Sequence, residues 1–411
     1  MKRVLLAVVV TALLAPTHAV SAPLVEPRAA VQADGPDHLV HAGTVDPTDP
    51  TGIYQYEAYF PRQLSVHKGD WVRWEFPDQG NGAVAFHTVT FGNPDEITYA
   101  RGDEVPGTLA FDEESFFSSG CGRTGLPVCR ISSPGQVVSS GTPILHNSGP
   151  GKVHPFDAIV DLPQGTYSYF CALHHPLMQG TIQVVDDDVA LNNRKPQDFV
   201  AEITAATVEA KKQFAEISDK PKLEIEEGGR RVWTIAAGAR SNTTGIPVVA
   251  EEFLPSAARP IEPGDTVRWV MGGTAHTVTF PEARGPAHIT LNCEFDGAAT
   301  GAPGVPGIGV GGIVPGMSAC PPGGSIEMGM TELGANQQRA PNDVVAPGTF
   351  HNSGIMIGGN LPERMRGRPP GSGTHFPSEF EATFPYPGTY TYRCIIHAGF
   401  MGGTITVKGV G

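Results

Sequence analysis

Two short segments of the chain carry a cysteine, a histidine and a methionine at identical spacing. In each segment two residues separate the cysteine from the histidine, three separate the histidine from the methionine, and one separates the methionine from a glycine. The residues are Cys171, His174, Met178 and Gly180 in the first segment and Cys394, His397, Met401 and Gly403 in the second. Thiolate, imidazole and thioether are all metal ligands, and a tight loop can direct three of them at one point. The segments therefore predict two metal sites.

A second histidine precedes each loop on a predicted strand. His87 opens the segment His-Thr-Val-Thr-Phe, and His276 opens the same five residues further along the chain. Because side chains two apart in a strand face the same way, His87 shares an apolar face with Val89 and Phe91. Two imidazoles, one thiolate and a weak thioether are the ligands of a blue-copper electron-transfer centre. Zinc is the competing metal, but structural zinc sites favour closed cysteine and histidine sets without methionine.

These matches belong to a repeat that covers most of the chain. Five blocks recur in one order: 69–74 as 264–269, 87–91 as 276–280, 146–149 (His-Asn-Ser-Gly) as 351–354, 165–169 as 388–392, and 171–182 as 394–405. Five blocks in one order indicate two copies of one domain. Each block alternates apolar and polar residues between Gly, Pro, Asn or Asp, which is typical of short β-strands. The pattern predicts an antiparallel sandwich or barrel in each copy.

The composition also favours turn-rich β-structure. Of 411 residues, 51 are Gly and 38 are Pro, while only 17% are charged, which argues against helical bundles. Between the two copies, from about Pro196 to Ser218, apolar residues recur at helical spacing. They are Phe199, Ile203, Ala206, Ala210, Phe214 and Ile217. We predict one amphipathic helix there, and its apolar stripe favours packing at the domain junction over a spacer role.

The N-terminus has the residue order of a secretory signal. Lys2 and Arg3 precede an apolar run of about 12 residues, and small residues follow up to Ala22. The run is too short to span a membrane, and no later segment is long and apolar enough to do so. We expect cleavage of residues 1–22 and export to the periplasm, the cell surface or the medium. The net charge of −14 argues against a nucleic-acid partner, because binding the phosphate backbone requires clustered Lys and Arg.

The six cysteines divide into two groups by their surroundings. Two belong to the metal-site loops, whereas the other four lie in or beside two long Gly-rich insertions, one in each copy. An exported chain keeps few thiols without a use for them, so the insertion cysteines are expected to pair. We predict the disulfides Cys121–Cys129 in the first insertion and Cys293–Cys320 in the second.

Each copy resembles a plastocyanin/azurin-type cupredoxin in its Cys-x-x-His-x-x-x-Met-x-Gly loop and its upstream histidine, and the resemblance covers most of the chain. It implies an all-β fold of two tandem Greek-key sandwiches, residues 37–186 and 223–411, joined by a helical linker at 187–222. It also implies one type 1 copper at one end of each sandwich. The implied copper ligands are His87, Cys171, His174 and Met178 in the first copy and His276, Cys394, His397 and Met401 in the second.

Multidomain proteins that resemble this chain include copper enzymes. Laccase-like oxidases need His-x-His pairs and a His-Cys-His loop, and copper nitrite reductases use a histidine directly before the cysteine. Phe170 and Arg393 hold that position here, so both copies lack the usual connection to a second copper. A copper oxidoreductase with an interdomain copper stays as an alternative. Its candidate ligands are His146, His154, His175, His351 and His375.

The favoured function is an exported electron carrier with two one-electron copper sites, not an enzyme. Its expected redox partner is a cytochrome, an oxidase or a reductase. Copper storage or delivery is an alternative that would use the same ligands. His174 is preferred over the adjoining His175 as a ligand because it aligns with His397, and His174 and His397 are the expected electron ports at an apolar contact patch. The sequence leaves the oligomeric state open.

Overall fold

The computed structural model describes residues 24–26, 35–49, 51–77, 87–94, 101–102, 108–111, 119, 121–122, 127–141, 155–172, 174–219, 222–257, 259–273, 275–280, 290–295, 324–329, 343–349, 351–353, 356–358, 377–394, 397 and 401–409. The predicted signal segment, residues 1–22, lies outside these ranges, and so does Cys320. Export and the Cys293–Cys320 disulfide therefore stay predictions.

Short strands make up the described part of the first half. They are β1 (Leu24–Glu26), β2 (His38–Ala42), β3 (Tyr54–Tyr56), β4 (Tyr59–Phe60), β5 (Gln63–His67), β6 (Trp71–Glu75), β7 (Thr90–Phe91), β8 (Arg101–Gly102), β9 (Thr108–Phe111), β10 (Val128–Ile131), β11 (Val138–Ser139), β12 (Phe156–Val160), β13 (Gly165–Phe170) and β14 (Gln179–Val185). A 3-10 helix (Pro196–Phe199) and helix α1 (Val200–Asp219) follow.

The second half begins after α1 and is again built of strands. They are β15 (Lys222–Ile225), β16 (Arg231–Ser241), β17 (Val248–Leu254), β18 (Thr266–Met271), β19 (Ala275–His276), β20 (Thr279–Phe280), β21 (Thr290–Phe295), β22 (Gly324–Gly329), β23 (Asp343–Val344), β24 (His351–Asn352), β25 (Met356–Ile357), β26 (Glu379–Thr383), β27 (Gly388–Arg393) and β28 (Gly402–Val407), with a 3-10 turn at Glu227–Gly229.

Two sheets enclose one hydrophobic core in the first half. One has the strand order β1-β10-β12-β6-β2-β4 and the other β11-β7-β13-β14-β5. The predicted sandwich is present, but its sheets are mixed and not purely antiparallel, because β2 lies parallel to β6 and β5 parallel to β14. Such parallel neighbours need crossover connections between the sheets. Trp74 joins the sheets, its ring centroid lying 5.8 Å from that of Phe91 and 5.6 Å from that of Tyr169.

The second half repeats this arrangement. Its sheets run β23-β26-β18-β16-β17 and β24-β20-β27-β28, and β16 lies parallel to β18 as β2 does to β6. Trp269 takes the place of Trp74, 5.7 Å from Phe280 and 5.3 Å from Tyr392 between ring centroids. The prediction of an all-β chain with two tandem cupredoxin-like sandwiches and a helical linker is confirmed.

The linker helix packs between the halves, as its apolar stripe predicts. Ile203, Ala210 and Phe214 are buried in one cluster with Tyr56 of the first half and Val248 of the second. Ile217, in the last turn of the helix, departs from the prediction and is 41% exposed. Within the described ranges, no helix is long and apolar enough to cross a membrane.

A strand pair joins the halves directly. Strand β3 of the first half pairs antiparallel with β17 of the second, and Gln55 lies opposite Val249 at the centre of the pair. Two further bonds extend the ladder at its ends, from Glu57 N–H to the Pro247 carbonyl at 3.1 Å and from Glu251 N–H to the Ile53 carbonyl at 2.9 Å. The first half therefore completes the sheet of the second half.

This strand pair has an internal two-fold relationship. Glu57-Ala58-Tyr59-Phe60-Pro61 corresponds to Glu251-Glu252-Phe253-Leu254-Pro255. In each half the fourth of these residues pairs with an earlier strand of the sandwich, Phe60 with His41 of β2 and Leu254 with Ala236 of β16. Glu57 and Glu251 are thus equivalent, and they stand at opposite ends of the ladder described above. Exchanging the two halves leaves the pattern of pairing unchanged.

One repeat block differs from the alignment of the sequence. The residues 351–353 border the histidine strand of the second half, and residues 138–140, not 146–149, take this place in the first half. The same hydrogen bond marks both positions: Val89 N–H to Ser140 Oγ and Val278 N–H to Ser353 Oγ, each 2.8 Å long. The sequence pairing of 146–149 with 351–354 is wrong, because the register is set by this bond and not by residue identity alone.

The first predicted disulfide is confirmed. Cys121 and Cys129 are bonded, with sulfur atoms 2.09 Å apart, and both are fully buried in the core of the first half. Cys129 lies in β10, so the bridge fastens a loop of the long insertion to the sheet.

Candidate metal centres

The upstream histidines lie beside short core strands: His87 precedes β7, and His276 is the last residue of β19. His87 and His276 are both fully buried, and each is followed two residues later by a valine of the core, Val89 or Val278. The serine bonds described above hold the backbone of these valines. The strand periodicity in the sequence therefore places each imidazole correctly on the inner face.

The loops are closed by backbone hydrogen bonds that repeat in both halves. Cys171 N–H donates to the Met178 carbonyl at 3.1 Å, and Met178 N–H donates to the His174 carbonyl at 3.0 Å. In the second loop the bond from Cys394 to Met401 is 2.9 Å and that from Met401 to His397 is 3.2 Å. Each methionine is thereby held in the same core cluster as its cysteine.

The side chains of three predicted ligands meet in each half. In the first centre, made of His87, Cys171 and His174, the two Nδ1 atoms are 3.0 Å apart, and Cys171 Sγ lies 4.0 Å from His87 Nδ1 and 3.4 Å from His174 Nδ1. All three residues are buried.

The second centre has nearly the same dimensions. It consists of His276, Cys394 and His397. The Nδ1 atoms are 3.1 Å apart, and Cys394 Sγ lies 3.9 Å and 3.6 Å from Nδ1 of His276 and His397. Neither Cys171 nor Cys394 forms a disulfide.

These distances suit one metal ion in each centre. Metal–nitrogen bonds are about 2.0 Å and metal–sulfur bonds about 2.3 Å, so ligand atoms of one ion lie at most about 4.3 Å apart. A trigonal set of two histidines and one cysteine beside a buried methionine is the donor set that suits copper. The donor chemistry and the spacing therefore both fit the copper that the resemblance implies.

Backbone N–H groups and burial both favour the forms of the ligands that bind a metal cation. The Thr88 and Thr277 backbone N–H groups each donate to the cysteine sulfur at 3.3 Å, which favours the thiolate. Burial lowers the pKa of His87 and of His174 to about 3, and that of His397 to about 4. The imidazoles are therefore neutral at pH 7, and their nitrogen lone pairs are available to a metal.

An acidic residue that the sequence reasoning missed lies behind the second centre. Glu251 Oε2 is 3.3 Å from Nε2 of His276 and 3.6 Å from Nε2 of His397. Glu251 is 2% exposed, and burial together with the charge of Glu57 raises its pKa to about 8 despite the opposing effect of Arg240. Its repetition as Glu57, four residues before a proline in both copies, is the signal that could have revealed it.

The equivalent acid of the first half has a different partner. Glu57 is also 2% exposed, and both of its carboxylate oxygens accept hydrogen bonds from Arg240, one of them at 2.7 Å. Arg240 belongs to β16 of the second half, so this ion pair crosses the domain junction. The charge of Glu57 acts on His87, and that of Arg240 acts on His174.

The other predicted histidines are placed as follows. His174, not His175, joins the first centre; the His175 ring packs on Phe170, and its Nε2 is 3.2 Å from the Gln179 amide nitrogen. His351 is buried in β24 beside Thr349, with Nε2 2.6 Å from the hydroxyl oxygen. The remaining candidates for an interdomain copper, His146, His154 and His375, lie outside the described residues.

The expected electron ports, His174 and His397, are largely buried. His174 is 7% exposed, and the side chain of His397 is 15% exposed. The charge of Arg240 acts on His174, and Glu251 adjoins His397. Part of the expected apolar patch lies outside the described residues, so the assignment of His174 and His397 as electron ports stays a prediction.

The chain was compared with known proteins. No protein-family model matches it, and no curated protein matches it. Among solved structures, it is similar to oxidised plastocyanin from Dryopteris crassirhizoma, with 19% identity over 43% of this chain and 99% of that one (TM-score 0.18). It is also similar to a copper-containing nitrite reductase from Thermus scotoductus, with 13% identity over 92% of this chain and 69% of that one (TM-score 0.20). A blue copper oxidase from Nitrosomonas europaea has 10% identity over 90% of this chain and 85% of that one (TM-score 0.17).

Proposed function

We propose that the chain binds two copper ions as type 1 centres, one in each half, and that it carries electrons. One observation carries the proposal: in both halves two Nδ1 atoms and one cysteine sulfur converge within 4.0 Å in a buried site. Bound copper would supply a one-electron Cu(II)/Cu(I) couple. Met178 and Met401 would supply the predicted thioether ligands.

The protein would contribute rigidity and ligand softness. Thiolate and thioether stabilise Cu(I), and imidazole suits both oxidation states. Strands and closed loops hold the ligands, so little rearrangement accompanies a change of charge. Export and docking to a redox partner protein are part of the same proposal. The long signal-like N-terminus supports export, and the one-electron chemistry requires a partner.

The test is copper loading of the mature chain followed by copper counting, visible absorption and EPR spectroscopy. We expect two coppers with intense thiolate-to-copper absorption and narrow hyperfine splitting. Cys171→Ala and Cys394→Ala should each remove one blue centre and leave the other, and the double variant should be colourless. Retention of both centres in either single variant contradicts the ligand assignment. A third copper with wide splitting would instead support the oxidoreductase alternative.

An electron carrier gives up an electron and keeps its copper, whereas a copper delivery protein gives up the copper ion itself. Mixing the reduced, copper-loaded chain with an oxidised cytochrome tests the first, and mixing it with a metal-free copper chelating protein tests the second. Electron transfer without loss of copper supports the proposal. Loss of copper without oxidation supports storage or delivery.

A further inference from the structure

The two centres have unlike electrostatic surroundings, although their ligands are alike. Glu57 and Glu251 are equivalent residues on the strand pair that joins the halves. Each is buried; the charge of Glu57 acts on His87, and Glu251 lies beside His276 and His397. The difference between them is Arg240, which pairs with Glu57 and not with Glu251.

In the second centre a single side chain, Glu251, lies close to both ligand histidines. Their Nδ1 atoms face the cysteine sulfur, so a metal bound there leaves each Nε2 protonated and able to donate. Glu251 Oε2 lies 3.3 Å and 3.6 Å from these two Nε2 atoms. Although Glu251 holds a proton in the metal-free chain, the charge of a metal ion bound to these histidines would favour its ionised form. A carboxylate in this position makes imidazole a more basic ligand and stabilises the more highly charged metal ion.

In the first centre the negative charge of the equivalent residue, Glu57, is balanced by Arg240. The Arg240 guanidinium holds Glu57 through two hydrogen bonds, so the pair has no net charge. Arg240 also acts directly on His174 as a cation, which disfavours Cu(II) more than Cu(I). The first centre is therefore the better electron acceptor.

One feature of the second centre acts in the opposite direction. The Thr277 hydroxyl lies 3.9 Å from Cys394 Sγ, and a donor to the sulfur favours the reduced site. At this distance the bond is weak. A buried carboxylate beside two ligands acts in a low-dielectric medium and has the larger effect.

We propose that the second centre has the lower reduction potential, so that an electron exchanged between the two centres moves from the Cu(I) of the second to the Cu(II) of the first, the direction being set by Glu251 and Arg240. The second copper is oxidised to Cu(II) and the first is reduced to Cu(I), so the step needs no other reactant. This inference rests on the proposed function. Glu251 and Arg240 are positioning residues that act through the ligands.

The test uses Cys171→Ala, which retains the second centre, and Cys394→Ala, which retains the first. Redox titration of the blue absorption band then gives each potential separately. We expect the first centre to have the higher potential. In the Cys171→Ala chain, Glu251→Gln should raise the potential by at least about 59 mV, which is a tenfold change in the one-electron equilibrium.

Glu252→Gln is the matched control for Glu251→Gln. It removes the same charge from the next residue of β17, where the side chain interacts with Asp49 and Lys211 instead of the ligands. Its potential should stay within a few millivolts of the parent. Equal potentials for the two centres, a reversed order, or equal effects of Glu251→Gln and Glu252→Gln would overturn the inference.

Arg240 provides an independent arm should Glu251→Gln fail to fold. In the Cys394→Ala chain, Arg240→Gln leaves Glu57 uncompensated and should lower the potential of the first centre. Adding Glu57→Gln should return it close to the parent. A potential that does not fall in Arg240→Gln overturns the role of Arg240. Absence of a blue band in both cysteine variants is a failure of the proposed function instead.

Discussion

Glu57 and Glu251 are equivalent residues of a repeat, yet Glu57 is held by a guanidinium while Glu251 lies against two ligand histidines. The main chains of the two residues make matching bonds at the two ends of one ladder. Only the partners of their side chains differ, because Arg240 bonds to Glu57 and not to Glu251. An approximately symmetric backbone thus supports two chemically distinct environments.

The Glu57–Arg240 pair yields a stability prediction. The Glu57 side chain is 2% exposed and that of Arg240 is 20% exposed. Removing the arginine therefore leaves a buried carboxylate without its cationic partner. We expect Arg240→Gln to lower the free energy of unfolding by about 3 kcal/mol or more, since breaking a buried pair on one side is costly. The double variant Glu57→Gln with Arg240→Gln should lose less. Urea unfolding at pH 7 measures both, and equal losses in the single and double variants would contradict the prediction.

The glycine of each loop motif makes room for a core tyrosine. A Cβ atom on Gly180 would lie 2.3 Å from Tyr169 Cζ, and one on Gly403 would lie 2.3 Å from Tyr392 Cζ. Alanine at either position should therefore cost about 1 to 3 kcal/mol through overpacking. Gly135→Ala is the control, because no atom lies within 4 Å of the new Cβ. Thermal unfolding of the three variants checks this, and a loss for Gly135→Ala as large as the others would refute it.

The disulfide of the first half should contribute measurably to stability. Its cysteines are 8 residues apart. By the loop-entropy relation, closing a loop of this length stabilises the folded chain by about 2.5 kcal/mol. We expect Cys121→Ala with Cys129→Ala to lower the free energy of unfolding by this amount while both blue bands persist. A loss below about 0.5 kcal/mol would show that the relation fails at this site.

The metal-free protein should lose stability in mild acid. The folded pKa values of His87, His174 and His397 are about 3, 3 and 4, and burial also holds that of His276 well below its ordinary range. In the unfolded chain these four histidines bind protons near pH 6.5, whereas in the folded chain they stay neutral at that pH. The stabilisation is therefore complete above pH 6.5 and is lost as pH falls towards 3, by about 1.4 kcal/mol per unit for each histidine.

Glu251 opposes this trend between pH 4.5 and 8. Its raised folded pKa of about 8 means that the folded chain holds a proton the unfolded chain has lost, so this group favours folding more as pH falls. Four histidines outweigh one glutamate. The urea midpoint of the metal-free chain should accordingly be lower at pH 5 than at pH 7, and an equal or higher midpoint at pH 5 would contradict the assignment of these shifts.

The local parts of the centres could be predicted from the sequence. Cys171, His174 and Met178 lie in one loop, so their spacing alone limits where they can point. His87 required only the two-residue period of a strand. Repetition then supported both assignments, because chance does not produce the same order twice.

Contacts between distant segments could not be predicted in this way. Arg240 meets Glu57 across 183 residues, and nothing local in either segment indicates the other. The sequence aligns 146–149 with 351–354 because their four identical residues outweigh the weaker match at 138–141, whose serine makes the bond that fixes the strand. Register is a property of paired backbones, and a single segment does not contain it.

The two-fold pairing of β3 with β17 is the contact that two identical subunits would make, with each residue meeting the partner of its counterpart. In a homodimer every substitution appears on both sides of the axis, so an arginine that neutralised one glutamate would neutralise both. Joining the copies in one polypeptide removes that constraint and keeps the second copy at a high effective concentration. The covalent link therefore lets a symmetric assembly acquire a polarity, with one end differing from the other, without giving up the interface that holds it together.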